Sequence, residues 1–208
     1  MYKKVYLYVL DSMSDWEVGY IMAELRTGRY FKKGVVPLEV VTVGRDHRSI
    51  TTMGGLNIAP HISVDACVLD RTDVLILPGG DTWMDAAHEP ILQKASDALV
   101  KGTVVAAICG ATFGLAKIGI LDSIRHTSND LGYLKMMCPH YVGEAYYDTN
   151  PAVTDGHVVT SSGTAPLLFA KHILRLLDVF EPDTLEAWYQ LNYTHEPRYF
   201  HDLMKSIQ

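Results

Sequence analysis

Five short apolar runs, at residues 5–10, 38–43, 74–77, 104–108 and 158–161, recur along this chain, and helix-forming sequence lies between most of them. Each is rich in β-branched residues and lacks the polar alternation of a half-exposed strand. Such runs suit strands covered on both faces, as in a parallel sheet flanked by helices. Helices are expected at 14–28, at 90–101 with Pro90 at the first turn, where its missing N–H costs little, at 110–117 and at 165–177. Residues 50–59 carry Gly54-Gly55 and read as a hairpin inserted into the wound sheet. No repeat, low-complexity tract or linker interrupts this order. The expectation is one α/β domain over 1–208 with a doubly wound, mostly parallel sheet, ending in an aromatic-rich helical tail at 181–208.

Within that order, one junction carries chemistry. The run Val104-Val105-Ala106-Ala107-Ile108 passes into Cys109-Gly110-Ala111-Thr112-Phe113-Gly114. A reactive side chain on a sharp strand-to-helix elbow needs small neighbours, and Ala107, Gly110 and Ala111 supply them. The elbow puts sulfur at a helix N-terminus, whose free N–H groups and dipole favour a thiolate. The competing reading is a small buried apolar cysteine. Position separates them: ligands of open parallel sheets bind beyond the carboxyl ends of the strands. Asp11 to Glu17, Pro78-Gly79-Gly80-Asp81 and Cys109-Gly110 all follow such ends.

Composition excludes several classes. The net charge is −6 with no basic run, which argues against nucleic acid and anionic membrane as partners. The run at 5–10 is too short for a signal-peptide core or a membrane span. Cys67, Cys109 and Cys138 are widely spaced and odd in number, so neither a disulfide framework nor a zinc site is expected, and a reducing cytoplasm is the default setting. The histidines lack the i, i+4 pairing of a metal site, and no metal or cofactor is expected.

The chain resembles the ThiJ/PfpI superfamily, within the class I glutamine amidotransferase-like fold. The resemblance is carried by Asp15-Trp16-Glu17, by Leu75-Ile76-Leu77-Pro78-Gly79-Gly80 and by Ala107-Ile108-Cys109-Gly110-Ala111. Met53-Gly54-Gly55 through Pro60 and Asp65 match the family's hairpin region. The resemblance implies a flavodoxin-like fold, a homodimer, and cysteine hydrolase (amidase), deglycase or glyoxalase-like chemistry on a small-molecule substrate. It implies Cys109 as nucleophile, Glu17 as the acid beside the sulfur, and Gly79, Gly80 and Gly110 as the oxyanion and substrate-binding glycines, with the N–H groups of Gly80 and Gly110 as donors. His126, in Arg125-His126-Thr127-Ser128-Asn129, resembles a histidine that some branches hold near the thiol.

Two departures narrow this. Protease-like members often place histidine directly after the cysteine, where this chain has Gly110. Amidotransferases carry a late His-x-Glu pair, whereas Gly156-His157-Val158-Val159 has no such glutamate. General proteolysis and glutamine hydrolysis are therefore disfavoured. A redox-sensing or chaperone-like protein using the same thiol remains the alternative.

Local readings compete with these roles. Ser14-Asp15-Trp16-Glu17 is a capping-box pattern, so Glu17 has a second possible task at a helix start. Asp81 or Thr82 reads as the cap of a helix beginning near Trp83. Thr127-Ser128-Asn129-Asp130 reads as a capping cluster for a helix at 131–136, which makes His126 a solvent-exposed loop residue. His172, in an apolar helix, reads as structural. Leu185, Trp188 and Leu191 recur at helical spacing, so the tail is expected to pack on the parent domain, with a dimer surface or a wall of the cleft as alternatives.

Overall fold

A computed structural model describes residues 2–207. The chain runs β1 (Lys4–Tyr8), α1 (Gly19–Thr27), β2 (Glu39–Gly44), β3 (Ile50–Thr51), β4 (Asn57–Ile58), β5 (Ile62–Ser63), β6 (Asp73–Leu77), α2 (Glu89–Lys101), β7 (Val104–Ile108), α3 (Ala111–Lys117) and α4 (Leu131–Met137). It continues through β8 (Ala152–Asp155), β9 (Val158–Ser161), α5 (Pro166–Leu176), α6 (Pro182–Thr194) and α7 (Pro197–Ser206). Seven strands form one sheet in the order β5-β2-β1-β6-β7-β9-β8, parallel except for the β8–β9 pair. The five long parallel strands thus follow the flavodoxin-like 2-1-3-4-5 order. Every residue of β6 and β7 is buried, as unbroken apolar runs between two helical layers require.

The five expected strands form, with boundaries shifted by a residue or two. Two short edge strands escape the apolar-run criterion. β5 has only two residues, and β8 pairs with β9 across the turn Gly156-His157, where Gly156 takes φ +52. The hairpin β3–β4 pairs with itself and forms a separate small sheet. The helix expected over 14–28 is broken: Asp15–Glu17 is a 3-10 turn, α1 starts at Gly19, and Gly28 closes it in the left-handed region. No regular helix begins at Trp83. Asp85, not Asp81 or Thr82, caps the next turn by accepting the Ala87 N–H, while the Asp81 N–H is taken by Ser12 Oγ at 2.8 Å.

The tail is two helices, broken at His195 (φ +61) ahead of Pro197. Trp188 is buried and donates its Nε1–H to Glu24 Oε1 at 3.0 Å, which ties α6 to α1. The tail therefore packs on the parent domain, and Leu191 is only half-buried. Among the described residues, no helix is long and apolar enough to cross a membrane.

His172 accepts or donates at Thr154 Oγ1, 2.8 Å away, and burial pushes its pKa down to about 4, helped by Arg175 and Lys171. His88 and His126 are lowered by burial as well. The unfolded chain takes up these protons near the ordinary histidine pKa of about 6.5, and the folded chain does not. Stability is then fully present above about pH 6.5 and falls as pH drops towards 4. Melting temperature measured across this window should decline, and His172→Gln should flatten the decline. An equally steep decline in His172→Gln would remove His172 from the account.

Candidate active site

The elbow after β7 is built by hydrogen bonds at both ends. The Cys109 N–H donates to the Ser161 carbonyl at 2.9 Å, which extends the β7–β9 pairing by one residue. The Cys109 carbonyl accepts the Thr112 N–H at 3.1 Å and Thr112 Oγ1–H at 2.6 Å. Between these anchors Cys109 adopts φ +57, a left-handed conformation that costs a non-glycine residue roughly 1–2 kcal/mol. Gly110 must be glycine: a Cβ there would meet the Gly80 carbonyl oxygen at 2.7 Å and Trp83 Cδ1 at 3.0 Å. Trp83 also donates Nε1–H to the Pro78 carbonyl at 2.8 Å, so the Pro78-Gly79-Gly80 turn and the elbow are packed as one unit.

Glu17 is 0% exposed. Its Oε2 accepts the Gly79 N–H at 2.6 Å, a bond spanning two strand ends. Its Oε1 is buried without any hydrogen-bond partner that meets ordinary distance and angle limits. Ser14 makes no side-chain cap hydrogen bond and its N–H donates to the Gly79 carbonyl at 3.0 Å, so Glu17 does not close a capping box. Burial pushes its pKa up, against the opposing pull of the Gly79 N–H, the Cys109 thiol and the Ser14 hydroxyl. The thiol of Cys109 is pushed up by burial and by a negative charge at Glu17, while Asn129 and the Gly110 N–H pull it down. Two ionised groups at this spacing in a desolvated site repel, so the pair holds one proton between them. We place it on the carboxyl whenever the sulfur is ionised.

Two glycines permit this approach. A Cβ at Gly163 would lie 2.8 Å from Cys109 Sγ and 2.9 Å from Glu17 Oε1. At Gly79 it would lie 2.6 and 2.7 Å from the two Glu17 oxygens and 2.8 Å from Cys109 Cβ. Gly79 is thus spent on Glu17: its N–H is not free for a substrate oxygen, which corrects its expected oxyanion role. The N–H groups of Gly80 and Gly110 meet no backbone or side-chain oxygen acceptor among the described residues.

Asn129 was not singled out for the site. Its Nδ2 lies 3.3 Å from Cys109 Sγ, and its Oδ1 accepts the Gly163 N–H at 2.8 Å. The second bond settles which end of the amide faces sulfur, because only Oδ1 can accept from Gly163. The sequence signal was present as a polar residue among Thr127-Ser128-Asn129-Asp130, but there Asp130 alone caps the helix, through the Tyr133 N–H.

His126 is 0% exposed, not a solvent-exposed loop residue. Its Nδ1 lies 2.7 Å from the Ile124 carbonyl, which can only accept, so Nδ1 carries the proton. Nε2 then accepts from Tyr141 Oη–H at 2.6 Å. Both nitrogens are committed away from Cys109, and burial lowers the pKa, consistent with this neutral tautomer. His126→Ala should therefore cost roughly 1–3 kcal/mol of stability through the orphaned Tyr141 and Ile124 groups, while iodoacetamide still alkylates Cys109 at the parent rate. A collapse of alkylation in stably folded His126→Ala would return His126 to the site.

Cys109 is shared by two cavities. One of about 500 Å³ is lined by Trp16, Glu17, Asn129, Ser162, Gly163 and Thr164. The other, about 190 Å³, lies on the Gly80, Gly110, Phe113, Tyr133 and Met137 side. A roomier cavity of about 610 Å³ at the β8 edge, beside Arg125, His172 and Arg175, is lined by no cysteine, so volume alone does not locate the site. No tail residue lines either cavity at Cys109. Cys67 and Cys138 are buried, and burial pushes Cys67 up to about 11 and raises Cys138. Among the described residues no group of three His, Cys, Asp or Glu side chains is placed to hold a metal ion.

With this geometry in hand, comparison with known proteins is specific. A model of the DJ-1/PfpI family matches residues 3–176. The chain is 58% identical over 205 residues to a Bacillus subtilis protein described as an uncharacterized protease, YoaZ, covering 99% of this chain and 98% of that one. It is 30% identical over 192 residues to a second Bacillus subtilis protein described in the same way, YdeA, covering 91% of each. A crystal structure of a thiJ/pfpI family protein from Bacillus anthracis is similar at a TM-score of 0.98 and 56% identity, covering 100% of this chain and 98% of that one. A DJ-1 superfamily protein from Agrobacterium tumefaciens is similar at 0.79 and 33% identity, covering 93% and 98%.

Proposed function

The chain belongs to the DJ-1/PfpI family, and on that premise we propose that it is a cysteine-dependent, hydrolase-like enzyme acting on a small carbonyl or amide compound. One observation carries the reading: Cys109 Sγ and the partnerless Oε1 of a fully buried carboxyl flank the same point, 2.8 and 2.9 Å from where a Gly163 Cβ would lie. A structural cysteine needs no such neighbour. In the proposed reaction Sγ adds to the carbonyl carbon and the π pair moves to oxygen, which the Gly80 and Gly110 N–H groups receive. The bond to the leaving group breaks, and that group departs with the proton held by Glu17. Water then adds to the thioester, gives its proton to Glu17, and releases the acid and the free Cys109. Asn129 donates to the sulfur when it is charged. The two commitments of His126 favour Glu17 as the proton carrier.

The protease descriptions of the two Bacillus subtilis relatives support hydrolysis as the class. Gly110 after the cysteine, and cavities of a few hundred Å³, support a small substrate over an unfolded protein. The competing redox-sensing reading draws on the partial exposure of Cys109. We propose a cytoplasmic homodimer on the family resemblance.

Iodoacetamide labelling with peptide mapping at pH 7 tests the assignment. Cys109 should react well before Cys67 and Cys138, and small amides or esters should be turned over while casein stays intact. Turnover should disappear after mild peroxide. Equal labelling of the three thiols sinks the nucleophile, and casein cleavage lost in Cys109→Ala sinks the small-substrate reading. Reversible oxidation without any turnover selects the sensor.

A further inference from the structure

The seven-stranded sheet ends at β8, and the outer edge of that strand is open. Antiparallel ladders bond through alternate residue pairs. The Ser162 N–H donates to the Pro151 carbonyl at 2.9 Å, so in this register Val153 bonds with Thr160 and Asp155 with Val158. Ala152 and Thr154 therefore turn their N–H and C=O groups away from β9, and these groups meet no partner among the described residues. Ala152 is nevertheless only 5% exposed, a setting in which backbone polar groups are ordinarily paired. The cavity of about 610 Å³ wraps round this edge. On one face stands α5, with Leu168, His172 and Arg175, and His172 Nδ1 lies 2.8 Å from Thr154 Oγ1. Successive strand residues point to opposite faces, so Asp155 points away from α5. Its Oδ2 accepts the Arg125 N–H at 2.8 Å, which puts Arg125 on the far wall. An open edge between a helix and a second wall is the geometry that accepts an extended segment as an added strand.

Charge selects the occupant. The whole chain carries −6, yet this cavity is lined by Arg125, Arg175 and a single carboxylate, Asp148. Asp148 is paired with Arg125, whereas Arg175 is exposed and makes no ion pair among the described residues. We propose that β8 is a docking edge for an extended acidic segment of a partner protein, which adds as a further strand against Ala152 and Thr154 and sets a carboxylate beside Arg175. Main-chain bonds hold the segment, and the arginines choose its charge. A second copy of this chain fits less well, because two-fold pairing sets a net positive patch against itself. The proposal is independent of the chemistry at Cys109.

The probe is the fluorescein-labelled peptide Glu-Val-Thr-Val-Glu, with Lys-Val-Thr-Val-Lys as its charge-reversed twin, followed by anisotropy against the full chain. The acidic peptide should bind saturably below about 1 mM, and the basic one about tenfold more weakly. Arg175→Glu, at an exposed position, should reverse that preference. Methylating the peptide amides one at a time should abolish binding at alternate positions and spare those between, the period of an added strand. Thr154→Pro removes an outward N–H without breaking a ladder bond and should abolish binding. If that variant does not fold, Arg175→Glu and the methylated peptides carry the test. No saturable binding, equal binding of the two peptides, or binding indifferent to Arg175→Glu and to amide methylation overturns the proposal. A dimer in sedimentation that Thr154→Pro dissociates assigns the edge to a second copy and overturns it as well.

Discussion

Glu17→Leu should raise the thiol pKa of Cys109 by at least about one unit, slowing alkylation at pH 7 about tenfold, since one unit corresponds to about 1.4 kcal/mol. The reasoning starts from burial. Glu17 is fully enclosed, no cation is paired with it, and burial raises its pKa. A proton on the carboxyl can be donated to an ionised sulfur, and leucine removes that donor without opening a large cavity. Glu17→Gln keeps a donor in nearly the same place and should fall between the two. The sign is diagnostic. An ionised Glu17 would repel a thiolate, and its removal would lower the thiol pKa. Thiolate absorbance followed against pH, with Cys109→Ser as the blank, measures this. A titration that stays in place in Glu17→Leu ends the Cys109–Glu17 pairing, and one that moves down reverses the proton assignment. Fold stability should move little, because a buried acid gives way to an apolar group while the Gly79 N–H loses its acceptor.

Gly163→Ala should silence the site by a different route. The added methyl would lie 2.8 Å from Sγ, 2.9 Å from Cys109 Cβ and 2.9 Å from Glu17 Oε1. Cys109 is short and fixed by its backbone, and Glu17 is fully enclosed and held by the Gly79 N–H, so the sulfur and carboxyl must separate. A displacement near 1 Å at reacting atoms costs about a hundredfold in rate, and that is the loss expected in turnover and in Cys109 alkylation. Stability should fall by roughly 1–3 kcal/mol, the usual cost of overpacking. Gly19→Ala is the matched control: a Cβ there meets nothing within 4 Å, and the residue opens α1, so stability should hold or rise. Full reactivity in Gly163→Ala would mean that the sulfur and the carboxyl need not approach.

The strands and the elbow were readable because their causes are local. An unbroken apolar run such as 104–108 followed by Cys109-Gly110-Ala111 states its own burial and its own sharp turn within a dozen residues. The convergence of Glu17, Gly79 and Cys109 was also accessible, since all three follow parallel strands whose carboxyl ends share one edge. Asn129, His126 and Gly163 were not readable in this way. Asn129 sits in a polar stretch whose local pattern says only helix cap, and its task comes from Gly163, 34 residues away, and Cys109, 20 residues away. His126 resembles a family histidine held near the thiol, yet Tyr141 and Ile124 consume both nitrogens. Local sequence carries backbone preference and the choice between inside and outside. The direction of a polar side chain depends on which donors and acceptors are left unpaired around it once the layers have packed, and that set is assembled by contacts distant in the chain.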